Sequence, residues 1–205
     1  MFSGKSVMQN NSLLSAFVAL FAAFMCVFGF ITLPGPAGIP VVLQNIMAIF
    51  AGTLLGGVQG AASVGLFLTV GALGLPVFSM GRGGMAHLLS PTGGFLLGYF
   101  FAAFFAGIYL GKPKNQEKTS LGKIIFAYVV GLLIIYGIGL FQFLKVKNLP
   151  LYPQEVFLVI QTCIIPFLPA DIVKIVLFVP LTYKLRDVLP RYLSFDVKDE
   201  NVLHE

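Results

Sequence analysis

Charge is sparse in this chain: Asp, Glu, Lys and Arg together make up 10% of its 205 residues. Soluble domains carry about 25%, so a water-solvated globular enzyme is excluded. Cysteine is scarcer still. Cys26 and Cys163 are the only two; both lie inside apolar stretches without nearby His or Asp, so they make no metal signature and read as small buried hydrophobes. The formal net charge of +5 comes with no basic stripe interleaved with aromatics, which excludes a nucleic-acid surface. A nucleotide site is absent too. Gly81-Arg82-Gly83-Gly84-Met85-Ala86 has glycines spaced like a dinucleotide fingerprint, yet no strand precedes it and no βαβ unit follows. Active transport by this chain would therefore draw its energy from a partner or an ion gradient.

What the sequence has in excess is apolar length. Hydrophobic residues make up 58% and the mean hydropathy is +0.93, which predicts an all-α integral membrane protein forming a single membrane domain over 1–205. Six transmembrane helices are expected at about 13–33, 41–58, 60–74, 94–111, 124–144 and 170–189. The first run leads straight into PGPAGIP rather than a small-residue cleavage site, so it reads as a span and not as a signal peptide. Between the third and fourth spans, 75–93 holds Pro76, Pro91, a glycine cluster, Arg82 and His87 and reads as an ordered outer loop. Residues 152–165 are too short to cross alone, are stopped by Pro166 and Pro169, and read as a short interfacial helix.

Orientation follows from the lysines and arginines near span ends. Lys5, Lys112, Lys114, Lys118, Lys123, Lys184, Arg186, Arg191 and Lys198 fall on one side, nine of the 13 present. That side, with both termini and the 111–123 loop, is expected in the cytoplasm. The 34–40 loop, the 75–93 loop and the start of the sixth span then share the outer side, where they could build one pocket.

Asp171 and Lys174 are the pair that stands out. Ionisable groups inside a span cost several kcal/mol unless paired or functional, and their i, i+3 spacing puts both on one helix face. Asp171 in the first turn after Pro169 could also act only as a helix-end stabiliser, with Lys174 as its counter-ion. Gln44 and Asn45, at the start of the second span, either line the pocket or satisfy backbone at a helix end. Arg82, in its glycine cluster, is suited to close over a carboxylate. His87 reads as a hydrogen-bonded structural histidine. Small-residue pairs, Ala19/Ala23, Gly52/Gly56, Gly94/Gly98 and Gly107/Gly111, mark places where helices pack closely.

The segments PGPAGIPVVLQ, GALGLPVF, SPTGGFLLGY and PFLPADIVK, in this order and spacing, resemble the BioY family of biotin transporters over about residues 12–190. The resemblance implies an S component of an energy-coupling factor (ECF) transporter in a prokaryotic cytoplasmic membrane, which captures biotin outside and relies on a transmembrane coupling subunit and cytoplasmic ATPases. Ala19-Leu20-Phe21-Ala22-Ala23 matches the family motif that meets the coupling subunit. The binding positions it implies are Asp171 and Lys174 on the last helix and Ser79 to Gly84 in the loop, including Ser79, Arg82 and Gly83, with Gln44 beside them. Asp171 would accept from the ureido N–H groups, Lys174 donate to the ureido C=O, and Arg82 hold the carboxylate; the reversed pose, with Lys174 on the carboxylate, is left open. Phe78, Phe30 and Tyr99 are candidate apolar walls. No cofactor or metal is implied. A solitary biotin facilitator, a membrane-embedded enzyme using Asp171, Lys174 and His87, and a purely structural subunit are the other readings.

Overall fold

A computed structural model describes residues 3–33, 41–114, 118–150 and 152–191. The 34–40 loop and the polar tail from 192 onward lie outside the described residues. Among the described residues eight α-helices carry the fold: α1 Ser3–Phe28, α2 Gln44–Leu55, α3 Gly57–Ala72, α4 Met85–Leu88, α5 Gly93–Leu110, α6 Leu121–Val146, α7 Pro153–Cys163 and α8 Leu168–Val188. All six expected spans coincide with helices. Three segments are long and apolar enough to cross a membrane, namely α5, α6 and the continuous helical stretch 153–188. The described part of α1 from Ser12, together with α2 and α3, forms shorter apolar helices.

The second span is shorter than 41–58 because its two ends are used differently. Val41–Val42 form β2, which pairs antiparallel with β1, Thr32–Leu33, so the architecture includes a small ribbon and α1 stops at Phe28 rather than at residue 33. At the other end Gly56 adopts φ +87, a conformation that side-chain-bearing residues rarely take, and it separates α2 from α3. The 12 residues of α2 extend about 18 Å. Every one of them is buried. α1, α3, α5, α6 and α8 all pack against α2, which is the axis of the bundle.

Close helix approach explains Gly52, Gly94, Gly98 and Gly107 of the glycine pairs, whereas Gly111, with open space around it and φ +65, ends α5. A Cβ on Gly52 would sit 2.1 Å from the Ala103 carbonyl oxygen, and one on Gly107 would meet the backbone at Gly56 and Gly57 at 2.4 Å. In lipid, where burial of apolar surface drives little association, such backbone contacts carry the packing. The outer faces are apolar: Leu133, Phe141, Ile172 and Val176 are all more than 60% exposed.

α8 is therefore inverted relative to a helix in water. It buries Asp171, Lys174, Thr182 and Arg186 and exposes Ile172, Val173, Val176 and Leu177. The expected interfacial segment appears as α7, followed by a 3-10 turn at Ile165–Phe167. Pro169 in the first turn of α8 has no N–H to leave unsatisfied there.

Candidate functional site

The start of α2 lies at the bundle axis, and the first turn of α8 crosses it. This brings Asn45 to Asp171, and the Asn45 Nδ2 donates to Asp171 Oδ1 at 2.9 Å. Lys174 Nζ donates to the same oxygen at 2.7 Å, to the Val42 carbonyl at 2.7 Å and to Asn45 Oδ1 at 3.1 Å. Tyr136, reaching in from α6, donates its hydroxyl to Asp171 Oδ2. Both charges are buried, with Asp171 1% and Lys174 7% exposed. An ion pair so placed is tolerable only because each partner is hydrogen-bonded beyond the other.

The donor and acceptor count shows what this cluster has left. An ammonium has three donors, and all three of Lys174's are engaged. A carboxylate offers roughly four acceptor positions, of which Asp171 uses three. Asn45 Oδ1 accepts from Lys174 and from the Ile46 N–H at 2.9 Å, while one hydrogen of its Nδ2 has no acceptor among the described residues. The cluster thus retains one acceptor site on Asp171 and one donor on Asn45.

A cavity of about 90 Å³ opens on this cluster. Asn45, Asp171 and Lys174 line it together with Arg82, Ser79, His87, Tyr99 and Tyr136, and Phe95, Leu96, Ile135 and Phe167 contribute apolar wall. Asp171, Lys174, Arg82, Ser79 and Tyr99, separate in sequence, therefore meet at one site. Gln44, Phe78 and Gly83 do not line it. Gln44 donates from Nε2 to the Met25 carbonyl at 2.8 Å and the Val77 carbonyl at 2.9 Å, bracing the end of α1 and the loop against α2. Phe78 is wholly buried between Phe67 and the His87 ring. Gly83 is a packing position, since a Cβ there would lie 2.2 Å from the Leu75 carbonyl oxygen. Phe30 is 61% exposed and also lies outside the lining.

The loop that carries Arg82 is held by its backbone. The Phe78 N–H donates to the Arg82 carbonyl at 2.8 Å and the Gly84 N–H to the Gly71 carbonyl at 2.7 Å, while Met80 takes φ +62 at the turn. Arg82 itself is exposed, with its guanidinium available to a ligand entering the cavity. His87, read from sequence as structural, lines the cavity as well as stacking on Phe78 at a ring separation of 5.6 Å. Burial, and then the positive charge of Arg82, hold its pKa below the usual histidine range.

Sequence reasoning left Tyr136 out and weighted Asn45 no more than Gln44. Tyr136 sits mid-helix in an apolar run, where nothing in the local pattern distinguishes it from a wall residue. Choosing between adjacent Gln44 and Asn45 requires the helical phase, which the ribbon at Val41–Val42 sets.

The chain is similar to known proteins over most of its length. The sequence matches the family model described as "BioY family" over residues 5–191. It is 37% identical over 163 residues to the biotin transporter BioY of Rhodobacter capsulatus, covering 78% of this chain and 85% of that protein. It is 33% identical over 186 residues to the biotin transporter BioY of Lactococcus lactis, covering 87% and 94%. The fold superposes with a TM-score of 0.71 and 30% identity on a crystal structure of the S component for biotin from an ECF-type ABC transporter, covering 91% of this chain and 94% of the other.

Proposed function

The chain belongs to the BioY family, and on that premise we propose that it captures biotin in the cavity between α2, α5, α6 and α8, as the S component of an ECF transporter. It is a transporter component rather than an enzyme. The observation that carries the site assignment is the hydrogen-bond balance around Asp171. Biotin's ureido group presents two N–H donors and one C=O acceptor, and the cluster offers the complementary pair: the remaining acceptor position of Asp171 takes an N–H, and the remaining Nδ2 hydrogen of Asn45 meets the C=O. Lys174, saturated by Val42, Asn45 and Asp171, holds the carboxylate in its orientation. In this reading Lys174 is a positioning residue, and Asn45 takes the donor role expected above for Lys174.

Arg82 then binds the valerate carboxylate, with Tyr99, Phe95 and Phe167 against the apolar bicycle. A cavity of about 90 Å³ is small beside the roughly 300–1,000 Å³ of typical ligand sites. Binding therefore widens it, and the 79–84 loop, which is attached mainly through backbone hydrogen bonds, is the element to give way.

Energy for uptake comes from cytoplasmic ATPases through a transmembrane coupling subunit that docks on α1. Ala19 and Ala23 are both exposed on that helix, and Ala19 lines a groove between α1 and α3 with Val18, Ala62 and Leu66. The protein sits in a prokaryotic cytoplasmic membrane with its termini and the 111–123 loop inside, a placement that the lysine and arginine distribution supports. An impermeant thiol reagent should leave Asn115→Cys unlabelled in intact cells, and labelling there would invert the orientation.

Competition against labelled biotin on the purified chain tests the pose. Biotin methyl ester, which keeps the ureido group but lacks the carboxylate, should bind more weakly to wild type and as well as biotin to Arg82→Ala. Equal competition by ester and acid on wild type would remove Arg82 from the site.

A further inference from the structure

The opposite polar end of the bundle holds a second cavity, of about 630 Å³, where the ends of α5 and α8 meet the segment leading into α6. Five of the described residues lining it are cationic, Lys112, Lys114, Lys118, Lys123 and Arg186, and none of the described lining residues is acidic. Three independent features converge there. Arg186 is only 4% exposed, yet all its partners among the described residues are neutral: Nε donates to Thr119 Oγ1 at 2.9 Å, Nη1 to the Thr53 and Gly111 carbonyls, and Nη2 to the Leu110 carbonyl at 3.0 Å.

Those four bonds leave one of the five guanidinium N–H donors, on Nη2, without an acceptor among the described residues. The guanidinium has no carboxylate counter-ion among them either, and an uncompensated buried charge is costly. Lys118 and Lys123, both exposed at the cavity, add positive potential. The third feature is the start of the 26-residue α6, whose N-cap Ser120 lines the cavity without making a side-chain cap. The first-turn N–H groups of a helix that long favour an anion.

We propose that this cavity is a binding site for a phosphoryl anion, supplied either as the headgroup of an anionic lipid or as free phosphate. Arg186 fixes the floor of the site through its backbone bonds, its open N–H and charge face the anion, and Lys118 and Lys123 close over it. The position where α5 and α6 leave the apolar layer favours the lipid as the source. Lysines near a membrane surface attract anionic lipid by about fivefold each.

The full-length chain in detergent, with equimolar phosphatidylglycerol and phosphatidylcholine, is assayed by native mass spectrometry for the lipid retained. A second arm titrates inorganic phosphate into lipid-depleted protein and reads thermal protection. Arg186 holds the fold and is left intact; the variant is Lys118→Gln with Lys123→Gln. Its control is Lys145→Gln with Lys147→Gln, at the far end of α6. Wild type should prefer phosphatidylglycerol, the site variant should lose about fivefold per lysine removed, and the control should keep the preference. Phosphate protection without lipid preference, lost in the site variant, sustains the site and assigns it to free phosphate. Equal retention by wild type and site variant together with no phosphate protection overturns the proposal, as does an equal loss in the control.

Discussion

Asn45 and Asp171 stand 126 positions apart in the chain and are joined by a 2.9 Å hydrogen bond at the bundle axis. That contact ties the buried helix α2 to the helix that carries the charge pair. It gives Asp171 an orienting partner on a different element, so the carboxylate is preorganised before a ligand arrives.

Loss of either ligand-facing group should weaken biotin binding. Asp171→Asn and Asn45→Ala are each expected to raise Kd about 10- to 100-fold, the worth of a hydrogen bond to a charged or buried group. Lys174→Ala differs in kind, because it strands a buried carboxylate at a cost of about 3–5 kcal/mol. It should therefore lower thermal stability markedly, and by more than Asn45→Ala, which removes hydrogen bonds from both charges but leaves them paired. Wild-type affinity in well-folded Asp171→Asn and Asn45→Ala proteins would remove both from the site.

Much of this was legible in sequence because lipid imposes strong rules. Asp171 and Lys174 could be named, since an ionisable pair inside an apolar run has few explanations. The six helical segments and the short α7 followed from apolar length and from Pro166 and Pro169. The ribbon at Thr32–Leu33 and Val41–Val42 was not legible, because β-branched residues at the edge of an apolar run continue a helical pattern equally well. Tyr136 and Asn45 depend on helix phase and on contacts between distant elements, which composition does not carry. Gly83 was read as part of the binding loop, but only the 2.2 Å approach to the Leu75 carbonyl reveals it as a packing position.

Stability should fall in mild acid through His87. Its folded-state pKa is depressed by burial and by Arg82, so below the usual value of about 6.5 the unfolded chain binds a proton that the folded chain resists. The unfolded state is then favoured as pH drops through that value toward the folded pKa, and the loss levels off below it. A melting series in detergent from pH 7.5 to 5 should show the decline, and His87→Gln should flatten part of it. A decline of unchanged size in His87→Gln would assign it to other groups.

Capture and coupling should separate in the small-residue ridge of α1. Ala19→Leu or Ala23→Leu is expected to block close approach of a coupling subunit, reducing co-purification and ATP-driven uptake while leaving biotin affinity within about twofold, since neither residue lines the cavity around Asp171. Lost binding with intact assembly would make these alanines internal packing residues. Full uptake in cells without any coupling subunit would favour a solitary facilitator.

Calorimetric titration of biotin into the purified wild-type chain, set beside Asp171→Asn with its fold verified by thermal melting, bears most directly on the assignment. Saturable binding of one biotin per chain, weakened at least tenfold in Asp171→Asn, is the predicted result. A folded wild-type protein that shows no saturable binding, or an Asp171→Asn protein that binds as tightly as wild type, would contradict it.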